Sequence, residues 1–231
     1  MQIKHIEKTT VIDYPDHIAS IVFVGGCNFR CDYCYNKDLV LNPDRIDNIS
    51  VEDTLVFLEK RKKYIEGVVV TGGEPTLYEG CRDFFYKIKE MGLLVKLDTN
   101  GLRPIFLKEL IDLKLLDYIA MDIKAPLKNY GEVSGVDIDI EKIRESMDII
   151  KFCGVDSEFR TTVWQGYFLK YSIDGMLDLI KDAKNYYLHN FFAVGEDSSK
   201  KYLPATKSEV VDFTKKAKEI VGKFGFRGDW L

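Results

Sequence analysis

An α/β fold built around a parallel sheet is predicted by three observations. Strand-like apolar runs alternate with helical periodicity along the 231-residue chain. The run Gly67-Val-Val-Val-Thr71 is continuously apolar, as a parallel strand covered on both faces must be. The residues able to do chemistry collect at the carboxyl ends of these runs, where parallel α/β folds gather their ligands.

Each element follows from local pattern. Met1-Gln-Ile-Lys-His-Ile6 reads as a strand rather than a signal peptide, and Tyr14-Pro15 that follows is turn chemistry. Apolar runs predict strands at Ala19–Val24, Gly67–Thr71, Leu93–Asp98, Asp117–Asp122, Glu158–Val163 and Asn190–Val194. Between and after them, helical patterns cover Val51–Tyr64, Gly80–Met91, Ile105–Leu115, Ile140–Phe152, Ile173–Asn185 and Lys207–Phe224. Ser50 is placed to cap the first of these, with acidic residues in its first turn. The run Lys60-Arg-Lys-Lys63 suits that helix's C-terminal dipole better than a phosphate backbone. Six strand–helix units imply a parallel sheet with right-handed crossovers. Periodicity alone leaves an open flavodoxin-like sheet and a barrel equally available. No linker rich in Pro, Gly or Ser interrupts the pattern, so a single domain over residues 1–231 is expected.

Composition excludes several function classes. A hydrophobic fraction of 46% is ample for a core, and a net charge of −4 leaves no electrostatic footprint for nucleic acid. No apolar run is long enough to span a bilayer, so no membrane partner is expected. Five cysteines, an odd number with three clustered, do not form a disulfide framework, and a reducing cytoplasm is expected.

The clustered cysteines carry the chemistry. Cys27, Cys31 and Cys34 lie in Val24-Gly-Gly-Cys-Asn-Phe-Arg-Cys-Asp-Tyr-Cys-Tyr-Asn36, a CxxxCxxC spacing able to turn three thiolates toward one point. A fourth cysteine at close range would close a ferredoxin cluster or a structural zinc site. Cys81 and Cys153 are isolated and read as small buried hydrophobes. The remaining zinc reading needs His5, His17 or His189, and none lies at a finger-like spacing. An iron–sulfur cluster with three protein ligands and one open iron is the economical reading.

These residues resemble the radical S-adenosylmethionine enzymes, whose signature is CxxxCxxC with an aromatic before the third cysteine, here Tyr33. The resemblance implies a (βα)6 partial TIM barrel with a short N-terminal β-hairpin. It also implies a 4Fe–4S cluster on Cys27, Cys31 and Cys34, with S-adenosylmethionine chelating the fourth iron. Thr71-Gly-Gly-Glu-Pro75 matches the motif that binds the cofactor's amino group, which assigns Gly72, Gly73 and Glu74. Its two glycines let backbone approach a ligand closely.

Asp98-Thr-Asn-Gly101 and Met121-Asp-Ile-Lys124 resemble strand ends of the glycyl-radical-enzyme activases, notably pyruvate formate-lyase activase and anaerobic ribonucleotide reductase activase. By that resemblance Asp98, Thr99, Asp122 and Lys124 contact the cofactor or a monovalent cation beside it. An aspartate pair converging on one pocket repels unless a cation intervenes. Arg160, in Arg160-Thr-Thr-Val163, resembles an inward arginine near the cofactor carboxylate, and a guanidinium fork pairs well with that group. Taken singly, Asp98 also suits a turn, Lys124 a solvent-reaching side chain, and Arg160 a structural salt bridge to Asp122.

The implied reaction is reductive cleavage of S-adenosylmethionine to a 5′-deoxyadenosyl radical. A one-electron donor such as flavodoxin or ferredoxin would feed it, and a glycyl radical enzyme such as anaerobic ribonucleotide reductase would be its protein substrate. A small-molecule substrate, as in a deazapurine-forming synthase, is the alternative, and a non-catalytic electron carrier a third. Two departures from the activases stand out. Tyr35 follows the third cysteine where a histidine is usual, and the expected last strand, Phe191-Phe-Ala-Val-Gly195, lacks their histidine. The tail Gly225-Phe-Arg-Gly-Asp-Trp-Leu231 resembles that of the ribonucleotide reductase activases.

Overall fold

Eight strands pair in chain order into one sheet: β1 Ile3–Thr10, β2 Ala19–Val24, β3 Gly67–Gly72, β4 Leu94–Thr99, β5 Tyr118–Asp122, β6 Asp156–Val163, β7 Asn185–Asn190 and β8 Lys223–Arg227. The computed structural model describes residues 1–193 and 201–230. β1 runs antiparallel to β2, and every later neighbour is parallel. The result is the partial barrel, opened by an N-terminal hairpin, that the sequence led us to expect.

Among the described residues, six helices of eight residues or more follow the strands: α1 Val51–Arg61, α2 Cys81–Glu90, α3 Pro104–Asp112, α4 Ile140–Phe152, α5 Ile173–Ile180 and α6 Val211–Ile220. Ser50 caps α1 by accepting from the Asp53 amide at 2.9 Å. Lys60 and Arg61 occupy its last turn, where cations complement the dipole.

The carboxyl-terminal third departs from expectation. α5 stops at Ile180: Lys181 turns to an extended ψ of 136° and Asp182 follows with a left-handed φ of 63°. The strand predicted at Asn190–Val194 lies earlier, at Asn185–Asn190; Val194 and Gly195 fall outside the described residues. The Phe-Phe-Ala-Val run drew the prediction because it is apolar. The true strand instead alternates, with Tyr186, Leu188 and Asn190 buried outward and Tyr187 and His189 on the other face. The last helix also ends sooner than expected, and the tail forms an eighth strand parallel to β7.

Strand alternation sorts the interior from the jacket. Val22, Val68, Val70, Val95 and Leu97 join the large apolar core beneath the helices. Ile21, Val69 and Tyr118 face the other way and, with Ala19 and Tyr14, form a small second core. Tyr14 is 2% exposed. A Cβ on Gly67 would meet its ring at 2.8 Å, so the turn tyrosine plugs the amino-terminal mouth of the barrel. Cys81 is buried as expected, its thiol on the Pro75 carbonyl at 3.0 Å, whereas Cys153 is only partly buried.

Candidate functional site

One cavity at the carboxyl ends of the strands collects every residue singled out from sequence. Cys27, Cys31, Tyr33 and Cys34 line it from the loop after β2, and Gly72, Gly73 and Glu74 from β3 and its loop. Asp98 and Thr99 come from β4, Asp122 and Lys124 from β5 and beyond, and Arg160 from β6. The cavity holds about 820 Å³ of non-atom space, its mouth included.

The cysteine loop is held by backbone contacts that depend on glycine. Gly72 has φ 112°, and a Cβ there would lie 2.6 Å from the Val24 carbonyl. A Cβ on Gly73 would lie 1.8 Å from the Gly26 oxygen. The amides of Gly73 and Glu74 donate to Val24 and Gly26, each at 2.8 Å. The close approach that the glycine pair permits is therefore, in the first place, to the cysteine loop itself. On its far side the Arg30 amide donates to the Ser134 carbonyl at 2.7 Å, and Gly135, φ 72°, sits against Arg30.

Burial pushes the Cys27 thiol up to about 11, and Cys31 and Cys34 are raised for the same reason. Three thiolates would persist here only beside strong positive charge. Among the described residues no three Cys, His, Asp or Glu side chains are grouped as a single ion would require.

Glu74 ties two strand ends together. Its Oε1 accepts from the Thr76 amide at 3.1 Å and from the Thr76 and Thr99 hydroxyls at 2.5 and 2.8 Å. Its Oε2 accepts from the Asn100 amide at 2.7 Å and keeps the spare accepting capacity. Burial raises the Glu74 carboxyl, and these donors oppose that. Thr99 thus orients Glu74, and Asn100, not singled out from sequence, also donates to Asn28 at 2.7 Å.

Opposite the thiols lies a lattice of charges. Arg160 Nε donates to Asp122 Oδ1 at 2.7 Å, and its Nη2 meets Asp98 Oδ2 at 3.0 Å. Lys124 pairs with Asp122 at 3.1 Å, and buried Lys96 with Asp98. Burial alone would raise both aspartates, but Arg160, with Lys124 at Asp122 and Lys96 at Asp98, holds them below the usual carboxylate range. Burial would likewise lower Lys124, and Asp122 more than offsets it. The positive charge between the two aspartates is the Arg160 guanidinium.

His189 was missed because its strand was placed too late. It lines the cavity from β7, opposite Thr162, and its buried Nε2 has no partner among the described residues. Burial, then the neighbouring Arg160, depresses its pKa to about 3, so the imidazole is neutral. The strand expected here, Asn190–Val194, held no histidine, whereas the true β7 carries one. Tyr35 stands at the rim, 58% exposed.

Comparison with known proteins agrees with this geometry. A Methanocaldococcus jannaschii protein inferred to be a glycyl-radical enzyme activating enzyme is 32% identical over 219 residues, 92% of this chain and 90% of that protein. The pyruvate formate-lyase-activating enzyme of Clostridium pasteurianum is 34% identical over 128 residues, 53% of this chain and 52% of that one. The solved structure of Streptococcus suis SuiB bound to S-adenosylmethionine superimposes with a TM-score of 0.68 at 15% identity, a likeness of fold alone. It covers 90% of this chain and 52% of SuiB, so the match spans about half of SuiB, as it does of the Clostridium enzyme. The model of the Radical SAM superfamily matches residues 21–171, and with the near full-length relative this establishes that the chain is a radical SAM enzyme, a member of that superfamily.

Proposed function

We propose that this enzyme generates a glycyl radical on a partner protein. The observation that carries the reading is the meeting of three thiols and a charged lattice across one strand-end cavity, in a chain similar over nearly its whole length to an inferred activase. The family implies a 4Fe–4S cluster and S-adenosylmethionine, and the donor set suits both. A cluster takes each thiolate through a different iron, so the three cysteines need not meet at one point. Its charge offsets the burial that keeps these thiols protonated. The buried Tyr33 hydroxyl and His189 Nε2 lack partners among the described residues and border the same space, leaving polar atoms for a second ligand.

In this reading Cys27, Cys31 and Cys34 hold the cluster. The loop Gly72-Gly73-Glu74 receives the amino group of S-adenosylmethionine, and Lys124 and Arg160 face its carboxylate. Bound together, cluster and cofactor would supply one-electron reductive chemistry that yields a 5′-deoxyadenosyl radical, with the electron coming from a donor of the flavodoxin or ferredoxin class. The protein's own task is orientation and exclusion of water. The ion lattice fixes Lys124 and Arg160, and the Tyr14 plug seals the far mouth. Because Arg160 already stands between Asp98 and Asp122, no separate monovalent ion is needed to neutralise them. The shared sheet supports treating residues 1–231 as one domain, and the three thiols suit a reducing cytoplasm. No helix among the described residues is long and apolar enough to cross a membrane.

The partner decides the test. Reduced enzyme carrying S-adenosylmethionine, mixed with candidate glycyl radical enzymes such as anaerobic ribonucleotide reductase, should yield a glycine-centred doublet by electron paramagnetic resonance. Deuterium on the target glycine should pass into 5′-deoxyadenosine. Label arriving only from a small metabolite, with no protein radical, would replace this reading with a small-molecule enzyme.

A further inference from the structure

We propose that Arg227, on β8, is a positioning residue for Arg160 and acts through the buried carboxylate of Glu158. The inference rests on the reading that Arg160 faces S-adenosylmethionine. Glu158 lies one inward step below Arg160 on β6 and is 0% exposed. Arg227 clamps it bidentately, Nη1 to Oε1 and Nη2 to Oε2, both at 2.6 Å, and Tyr118 donates to Oε2 at 2.9 Å. The Arg227 guanidinium is itself fixed 4.1 Å above the centre of the Tyr187 ring. Arg160 Nη1 stands 4.0 Å from the same Oε1, at the limit of an ion pair, while its other nitrogens engage Asp122 and Asp98.

The distances give the logic. Satisfied by Arg227, Glu158 exerts no short-range pull, and Arg160 keeps its fork directed at the two cavity aspartates. Without Arg227, Glu158 would be a buried charge with one hydrogen bond from Tyr118, and its nearest cation would be Arg160. A buried charge stripped of its partner is strongly disfavoured. Contraction of the 4.0 Å gap relieves it, and that contraction draws Arg160 down from Asp98 and Asp122. The reach of β8 into the site is thus electrostatic and indirect. Arg227 needs no contact with the cofactor.

A double-mutant cycle separates this role from general support of the fold. Binding of S-adenosylmethionine to the cluster-loaded enzyme would be measured by equilibrium dialysis, with the thermal midpoint recorded in parallel. Arg227→Met should weaken binding about tenfold, while iron content is retained. Arg227→Lys should fall between, since an ammonium cannot reproduce the fork. Adding Glu158→Gln to Arg227→Met should restore affinity to within about threefold of the parent, because the stranded charge is gone. Unchanged affinity in Arg227→Met, or no restoration in the double variant, would overturn the proposal while leaving the proposed function standing. Failure of the parent enzyme to bind S-adenosylmethionine at all would instead remove the reading on which both rest.

Discussion

The Nε of Arg160 donates to Oδ1 of Asp122 at 2.7 Å across the β5–β6 pairing, where the same two residues are register partners. A side chain assigned to the cofactor is therefore also the brace of another. Lys124→Ala and Arg160→Lys should each leave the iron content intact. Each should weaken S-adenosylmethionine binding by about 1.5–3 kcal/mol, the worth of a charge-assisted hydrogen bond. Isothermal titration of the cluster-loaded variants checks this, and parent-like affinity in both would remove these residues from the cofactor site.

Iron content should divide the five cysteines cleanly. Alanine at Cys27, Cys31 or Cys34 should abolish the cluster, whereas Cys81→Ala and Cys153→Ala should each retain about four irons per chain after anaerobic reconstitution. Loss of iron in either of the latter would revise the ligand set.

Stability should carry a histidine signature in acid. The folded-state pKa of His189, about 3, lies below its ordinary value near 6.5. The unfolded chain therefore binds the extra proton first, and stability falls as pH drops below about 6.5. Asp98 and Asp122, with lowered pKa values, contribute their losses only below about 4. Between pH 7 and 5 the parent should lose stability relative to His189→Gln in urea denaturation. Parallel curves would mean that His189 does not titrate this way.

Gly73→Ala should be far more damaging than Gly80→Ala. The first places a methyl 1.8 Å from the Gly26 oxygen, whereas the second meets nothing within 4 Å at an ordinary φ of −64°. Soluble yield and iron content of the two variants compare them directly, and a Gly73→Ala enzyme that folds and loads normally would contradict the contact.

The cavity lining was legible in sequence because its signals are local. The cysteine spacing, the Gly-Gly-Glu turn and the strand-end aspartates each occupy a few consecutive residues, and each lines the cavity. What stayed hidden depends on partners far along the chain. Lys96, Glu158 and Arg227 sit at inward strand positions, where lone charges resemble surface residues until the opposing strand is known. His189 was hidden by a neighbouring run, Phe191-Phe-Ala-Val194, more apolar than the strand itself. Lys223-Phe-Gly-Phe-Arg227 does alternate, but its first two residues continue the helical pattern and Gly225 with Gly228 reads as a tail.

The ion lattice also imposes an order of assembly. Its charges come from β4, β5 with the residue pair after it, β6 and β8, so no single stretch of chain contains it. During synthesis the cysteine loop leaves the ribosome more than a hundred residues before Arg160 and nearly two hundred before Arg227. Thiols proposed to take up iron are thus available while the charges proposed to orient the cofactor are still being made. A nascent chain at that stage would be a metal-binding polypeptide without a catalyst's geometry, and reactive chemistry would begin only after the late strands have docked.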